Sequence, residues 1–242
     1  MENNHANTIY LLGDFCVCAP SGKDISYRFS NKLRQLLILL LIYSDKIQNG
    51  ISSAQISTIL WPDKNDSNNI RRVTFKNLRE ALSDVNGIQI VFENQKWILK
   101  IDDKEQCDYL YIMSLSTEEI ENKPYNAELI SKVYDCCIRG TFLSPYSFSW
   151  LDSYKMQYEE HCNGVLMALL NKALSVNDYS SALKLTSCLL LIDSLNEDAF
   201  RIKIDLLIRT GRKQQASIKL HLFEEEYFKA YGKHLSMTDF LS

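Results

Sequence analysis

Glycine and proline are scarce in this chain, at eight and four of 242 residues, and they assemble no glycine-rich loop of the kind that cradles phosphates. Neither HExxH nor GxSxG occurs, so metalloprotease and serine-hydrolase chemistry lack their signatures. No CxxC occurs either. The seven cysteines lie mostly in apolar surroundings and read as buried reduced thiols, and the four histidines do not join them at zinc-ligand spacing. Cys162 follows His161 directly, but helix neighbours point apart, so the pair is no nucleophile and base. An enzyme, a metal and a cofactor are therefore not expected.

Long hydrophobic runs are missing as well. The most apolar stretch, "LLILLLIY" from Leu36 to Tyr43, falls well short of the ~18 residues that span a bilayer. The opening "MENNHANT" lacks the basic-then-apolar order of a secretory signal and reads as a lead-in, which suits a piece of a longer sensor chain. These features imply a cytoplasmic protein without membrane contact.

What is present is ordinary in bulk, with 46% hydrophobic and 24% charged residues, enough for a real core in one large domain or two smaller ones. Its charge is uneven. Residues 1–101 hold 12 Lys and Arg against 9 Asp and Glu, whereas residues 102–242 hold 15 against 21. A basic front facing nucleic acid and an acidic back facing protein would produce such a split.

"TIYLLGDFCVCA" is rich in β-formers, and after Pro20–Gly22 the alternating "DISYRF" reads as a returning strand. Ser30 or Asn31 can cap a buried helix over Lys32–Asp45. A second helix, about Ser53–Trp61, ends at Pro62, which has no amide hydrogen to donate. After the polar "PDKNDS" comes a third helix, Ser67–Leu82, followed by "IQIVFE" and "KWILKI" as a hairpin about Asn94-Gln95. The order of sheet, two helices, turn, helix and hairpin is that of a winged helix-turn-helix, whose third helix enters the major groove.

That third helix, "SNNIRRVTFKNLREAL", carries Arg71, Arg72, Lys76 and Arg79, with no acid among them. Phe75, Leu78 and Leu82 share one stripe, leaving Asn69, Arg72, Val73, Lys76, Asn77 and Arg79 on or near the other side. The cations can neutralise phosphate, Asn can pair with adenine, and Val73 can touch a thymine methyl. Arg71 falls on the inward stripe, so its stem is expected to pack.

Beyond the polar "DDKEQCD" the pattern is helical, over Asn126–Cys137, Trp150–Val176, Tyr179–Asp193, Asn196–Arg209 and Lys213–Tyr231. "NDYSSA" from Asn177 aligns with "GRKQQA" from Gly211 at an offset of 34, the tetratricopeptide spacing. Val165, Leu166, Ala173 and Leu174 match Ala199, Phe200, Leu207 and Ile208 at the same offset.

The succession "IYLLGDFCV", "LRQLLILLLIYSDK", "LW" with Pro62-Asp63, and "NNIRRVTFKNLREAL" resembles the front of bacterial transcriptional activators of the antibiotic-regulatory-protein type. "YDCCIRGTFL", "WLDSYKMQYEEH" and the closing "DYSSALKLTSCLLLIDSLNEDAF" onward resemble their back half. The resemblance covers about Thr8 to Leu241. It implies a mainly α protein with a small β component, a winged-helix DNA-binding domain over residues 8–101 and an all-helical bacterial transcriptional activation domain of tetratricopeptide-like repeats over 102–242.

By position it makes Ser67–Leu82 the recognition helix, with Arg72, Val73, Lys76, Asn77 and Arg79 towards DNA, Thr74 against the backbone, and Lys96 as the contact of the wing. It further implies double-stranded promoter DNA as a partner, RNA polymerase as a second, and a homodimer on tandem DNA repeats. The chain departs from the family at Arg71, where an apolar residue is usual, and at Asn77, where a basic one is common. The rival reading is a protein-docking module whose winged helix does not bind DNA.

Overall fold

The computed structural model describes residues 9–44, 49–64 and 68–234. They form a mainly α fold with a small β component, a winged helix followed by a helical region. Two compact units divide at Ser114/Leu115, Thr141/Phe142 and Met156/Gln157, the first taking residues Phe142–Met156 back into itself.

The first unit opens on β1 (Ile9–Tyr10), paired antiparallel with β2 (Cys16–Val17). The pairing lies within "TIYLLGDFCVCA" itself. The "DISYRF" segment expected as the returning strand forms a 3-10 turn at Ser26–Arg28 instead. Only its first residues pair as expected: Asp24 bridges antiparallel to Cys18, and the Ile25 amide donates to the Val17 carbonyl at 2.8 Å. The Asp24 carboxylate then accepts from the Ser26 amide at 2.7 Å and the Ser26 hydroxyl from the Val17 amide at 2.9 Å, so side chains end the ladder there.

Helix α1 (Asn31–Ile42) buries nine of its twelve residues, which is why its leucines run almost unbroken. Ser30 stands at the cap position, but its side chain makes no capping bond, and the Asn31 amide oxygen accepts from Gln35 instead. Asp45, the expected end of this helix, lies outside the described residues.

A two-residue strand, β3 (Ile51–Ser52), leads into α2 (Ser53–Leu60). Ser52 and Gln55 make a capping box at its start, and the helix stops before Pro62. Next come α3 (Asn68–Ala81), β4 (Ile88–Glu93) and β5 (Lys96–Ile101). Ser67, the expected first residue of α3, lies outside the described residues.

The hairpin turns through Asn94 and Gln95 with φ of 50° and 63°, the mirror-image turn whose twist matches the strands. β5 is the middle strand, with β4 on one side and β3 on the other. Gly50, at φ +91°, lets β3 approach, because a Cβ there would sit 2.7 Å from the Trp97 carbonyl oxygen.

The polar stretch after Ile101 belongs to this first unit. Ile9 bridges to Cys107, and the fully buried Asp108, at the start of α4 (Asp108–Ser114), accepts from the Leu11 and Leu12 amides at 2.7 and 3.1 Å. With the Tyr109 amide, which donates to the same carboxylate at 2.7 Å, three backbone donors offset the cost of removing it from water. Leu12 also bridges to Phe142, and the Tyr43 and Tyr154 hydroxyls meet at 2.8 Å, which ties in the returning segment.

In the second unit lie α5 (Thr117–Asn122), α6 (Ala127–Cys137), most of α7 (Asp152–Ser175), α8 (Tyr179–Ile192), α9 (Glu197–Arg209) and α10 (Lys213–Tyr231). The offset of 34 residues is a geometric fact here. Asn177 and Gly211 both take left-handed φ, 57° and 77°. In each turn the same two bonds close the helix: Asn177 to Leu174 and Asp178 to Ala173, Gly211 to Ile208 and Arg212 to Leu207. Each pair is a Schellman motif. The small residues Ala182 and Ala216 are buried at equivalent places.

Candidate nucleic-acid interface

The mounting of α3 decides which of its side chains reach solvent. Phe75, Leu78 and Ala81 are buried, and Phe75 stacks on Trp97 of β5 with ring centroids 3.8 Å apart. The Trp97 indole donates to the Ser53 hydroxyl at 2.9 Å, so one ring joins α2, α3 and the wing. Arg71 makes a second clamp. Its guanidinium donates to Ser57 Oγ at 2.9 Å and to Asn68 Oδ1 at 2.7 Å, which gives it the structural role its inward position implied.

Asn69, Arg72, Val73, Lys76, Asn77 and Arg79 are all exposed, Val73 at 50%. Arg72 forms no ion pair among the described residues. Lys76 lies 3.6 Å from Glu80 one turn on, a solvent-exposed pair of little energetic weight that a phosphate can displace. Arg79 is tied to the wing: its guanidinium lies 5.5 Å from the Trp97 ring centre and donates to the Ile90 carbonyl at 3.2 Å.

Thr74 stands differently from its expected backbone contact. It is 8% exposed, and its hydroxyl donates to the Ile70 carbonyl at 2.7 Å, so it lies off the exposed face. Lys96 opens β5 straight after the turn, half-buried, in register with Glu93 on one side and Ser52 on the other. The remaining wing cation, Lys100, is paired with Glu93 at 2.6 Å.

Two apolar side chains escaped the sequence reading. Ile70 is 39% exposed on α3 and Phe92 is 53% exposed on β4, where it tilts against Trp97 at 4.8 Å. The alternation Ile88, Ile90, Phe92 was the available signal, but it does not say that the last member passes beyond the core.

The arrangement can do one thing chemically: present two cations, two amides and a methyl-bearing side chain on one helix, backed by an aromatic brace. Among the described residues no group of three or more His, Cys, Asp or Glu side chains could hold a metal ion, and no helix is long and apolar enough to cross a membrane.

No protein-family model matches the chain, and a search of curated proteins returns no match. Among solved structures, EmbR of Mycobacterium tuberculosis, in complex with a low-affinity phosphopeptide, is similar over 95% of this chain with a TM-score of 0.61. Sequence identity is 14%, so the likeness is one of fold, and the chain spans 62% of the length of that EmbR chain.

Proposed function

Taking the fold shared with EmbR as premise, we propose that the chain is a sequence-specific DNA-binding transcriptional regulator, an activator, that places α3 in the major groove of promoter DNA. One observation carries the reading: the outward side of α3 gathers Arg72 and Lys76 with Asn69, Val73 and Asn77, and its single acid is Glu80. Arg72 and Lys76 supply phosphate contacts, while Asn77 and Val73 supply base preference. Arg79 and Lys96 contribute from the junction of α3 and the wing. The sequence resemblance to activators of the antibiotic-regulatory-protein type supports the same assignment, and with it an N-terminal DNA-binding domain and a C-terminal activation domain. In this proposal the tetratricopeptide-like hairpins contact RNA polymerase or a second copy bound to a neighbouring direct repeat, in the cytoplasm of a bacterium.

The experiment is selection of promoter fragments by the purified chain, followed by titration of the enriched duplex across a salt series. Affinity falls steeply with salt, and Arg72→Ala with Lys76→Ala flattens the slope by about two units. A chain that ignores duplexes in dilute buffer, or a double variant that binds as before, overturns the proposal. That result would favour the docking module, for which the exposed Ile70, Val73 and Phe92 are the pertinent feature.

A further inference from the structure

Phe200 and Phe223, stacked at 3.8 Å, form the floor of a cavity of about 220 Å³ within the second unit. Leu190 and Leu222 add apolar walls, and two lysines, Lys203 of α9 and Lys219 of α10, reach the same space. Lys203 is half-buried, and its ammonium donates to the Ser187 hydroxyl at 3.0 Å. Ser187 in turn donates to the Leu183 carbonyl, so it offers Lys203 a lone pair and no charge.

Neither lysine forms an ion pair among the described residues. Cys188 sits beside Lys203, but burial pushes its thiol up to about 12, so it stays uncharged near neutrality. Glu226 lines the opening and is itself exposed, without an ion pair among the described residues. Burial, and then the like charge of Lys219, pull the Lys203 ammonium down to about 8. A partly desolvated cation beside a second one is costly unless an anion completes the site.

We propose that this cavity is a binding site for an acidic peptide segment, taking one carboxylate between Lys203 and Lys219 and the adjoining apolar side chain against Leu190 and Leu222. The size supports this class of ligand, since the volume lies below the ~300 Å³ at which pockets for whole small molecules begin. It suits a side chain or two. Leu222, 53% exposed beside the two lysines, favours a ligand with an apolar part over a bare inorganic anion, which would leave it in water. The site does not depend on DNA binding, and its test is separate from that of α3.

The test uses the full chain and a fluorescein-labelled peptide of alternating Leu and Glu, compared by anisotropy with a peptide in which Gln replaces Glu. The Glu peptide binds saturably and the Gln peptide binds at least about tenfold more weakly, as expected for loss of a charge-assisted contact. Lys203→Met and Lys219→Met each weaken the Glu peptide by about tenfold, whereas Lys213→Met, which removes a charge at the start of α10, does not. On the unaltered chain, a brief acetic anhydride pulse read by mass spectrometry shows Lys203 protected by the Glu peptide and not by the Gln peptide, so a variant that misfolds leaves the question decidable. Equal binding of the two peptides, or an unprotected Lys203, overturns the proposal.

Discussion

Helices α3 and α9 have 14 and 13 residues, and each buries one face, yet their outward faces are built on opposite plans. Along α9 the exposed charges mix both signs: Glu197, Asp198, Arg201, Asp205 and Arg209, with Arg209 held 2.7 Å from Asp205. Such a face satisfies itself in water and gains a few tenths of a kcal/mol per pair, about 0.2–0.5. On α3 the exposed Arg72, Lys76 and Arg79 face a single acid, and Asn69, Val73 and Asn77 fill the space between them. Arg79 is held by Trp97 and the Ile90 carbonyl, and Lys76 has one exposed pair with Glu80, but Arg72 gains no such partner from the helix. On the proposed reading, the contrast is between a face tuned for folding and one kept for a partner.

The largest effect expected on this contrast comes from the braces underneath. Phe75→Ala removes a fully buried ring and its stack on Trp97, and should cost about 3–5 kcal/mol by urea unfolding. Phe200→Ala removes the matching stack on Phe223 in the second unit and should cost a similar amount. If α3 is the binding helix, then DNA affinity per folded molecule drops for the Phe75 variant and holds for the Phe200 variant. Equal behaviour of the two would erase the distinction between the units.

Next in size is the pair of neighbouring arginines. Arg71→Ala breaks the bonds to Ser57 and Asn68 and should cost about 2 kcal/mol, with the salt slope of DNA binding retained. Arg72→Ala should change stability by less than about 0.5 kcal/mol and lower the slope by about one unit. A reversal of the two outcomes would show that the assignment of clamp and contact is inverted.

The same two positions show what could be read from sequence. Helical periodicity alone separates Arg71 from Arg72, since Arg71 lines up with Phe75, Leu78 and Leu82. It also yields both ends of α10, while two β-rich segments on either side of Asn94-Gln95 yield the hairpin. All of these are settled by residues within a few positions of one another.

What stayed hidden depends on partners far along the chain. β3 has two residues, too few to alternate, and exists because Gly50 lets it close on Trp97. Asp108 read as part of a polar connector, yet its acceptors are filled by amides 97 and 96 residues earlier. At the site, the exposed side of α3 was legible from its period. The burial of Thr74 and the coupling of Arg79 to Trp97 were not, because neighbouring elements determine both.

The smallest expected effect tests the internal repetition of the second unit. Gly211 adopts φ of 77° with nothing within 4 Å of the place its Cβ would occupy, so substitution there is opposed by backbone strain and not by crowding. Gly211→Val should therefore cost about 1–2 kcal/mol. Asn177, 34 residues earlier, tolerates the same conformation, and its side-chain oxygen accepts from the Tyr179 hydroxyl at 3.0 Å.

Exchanging the two residues, Asn177→Gly with Gly211→Asn, gives each turn the other's solution. Glycine at 177 relieves strain but loses that hydrogen bond and frees the unfolded chain, while asparagine at 211 does the reverse. If the two turns are copies of one design, the exchanged protein melts within a few degrees of the original, a net change below about 0.5 kcal/mol. A loss comparable to that of Gly211→Val would mean that the matching bonds at the two turns conceal different energetics, and that the period of 34 is geometry without equivalence.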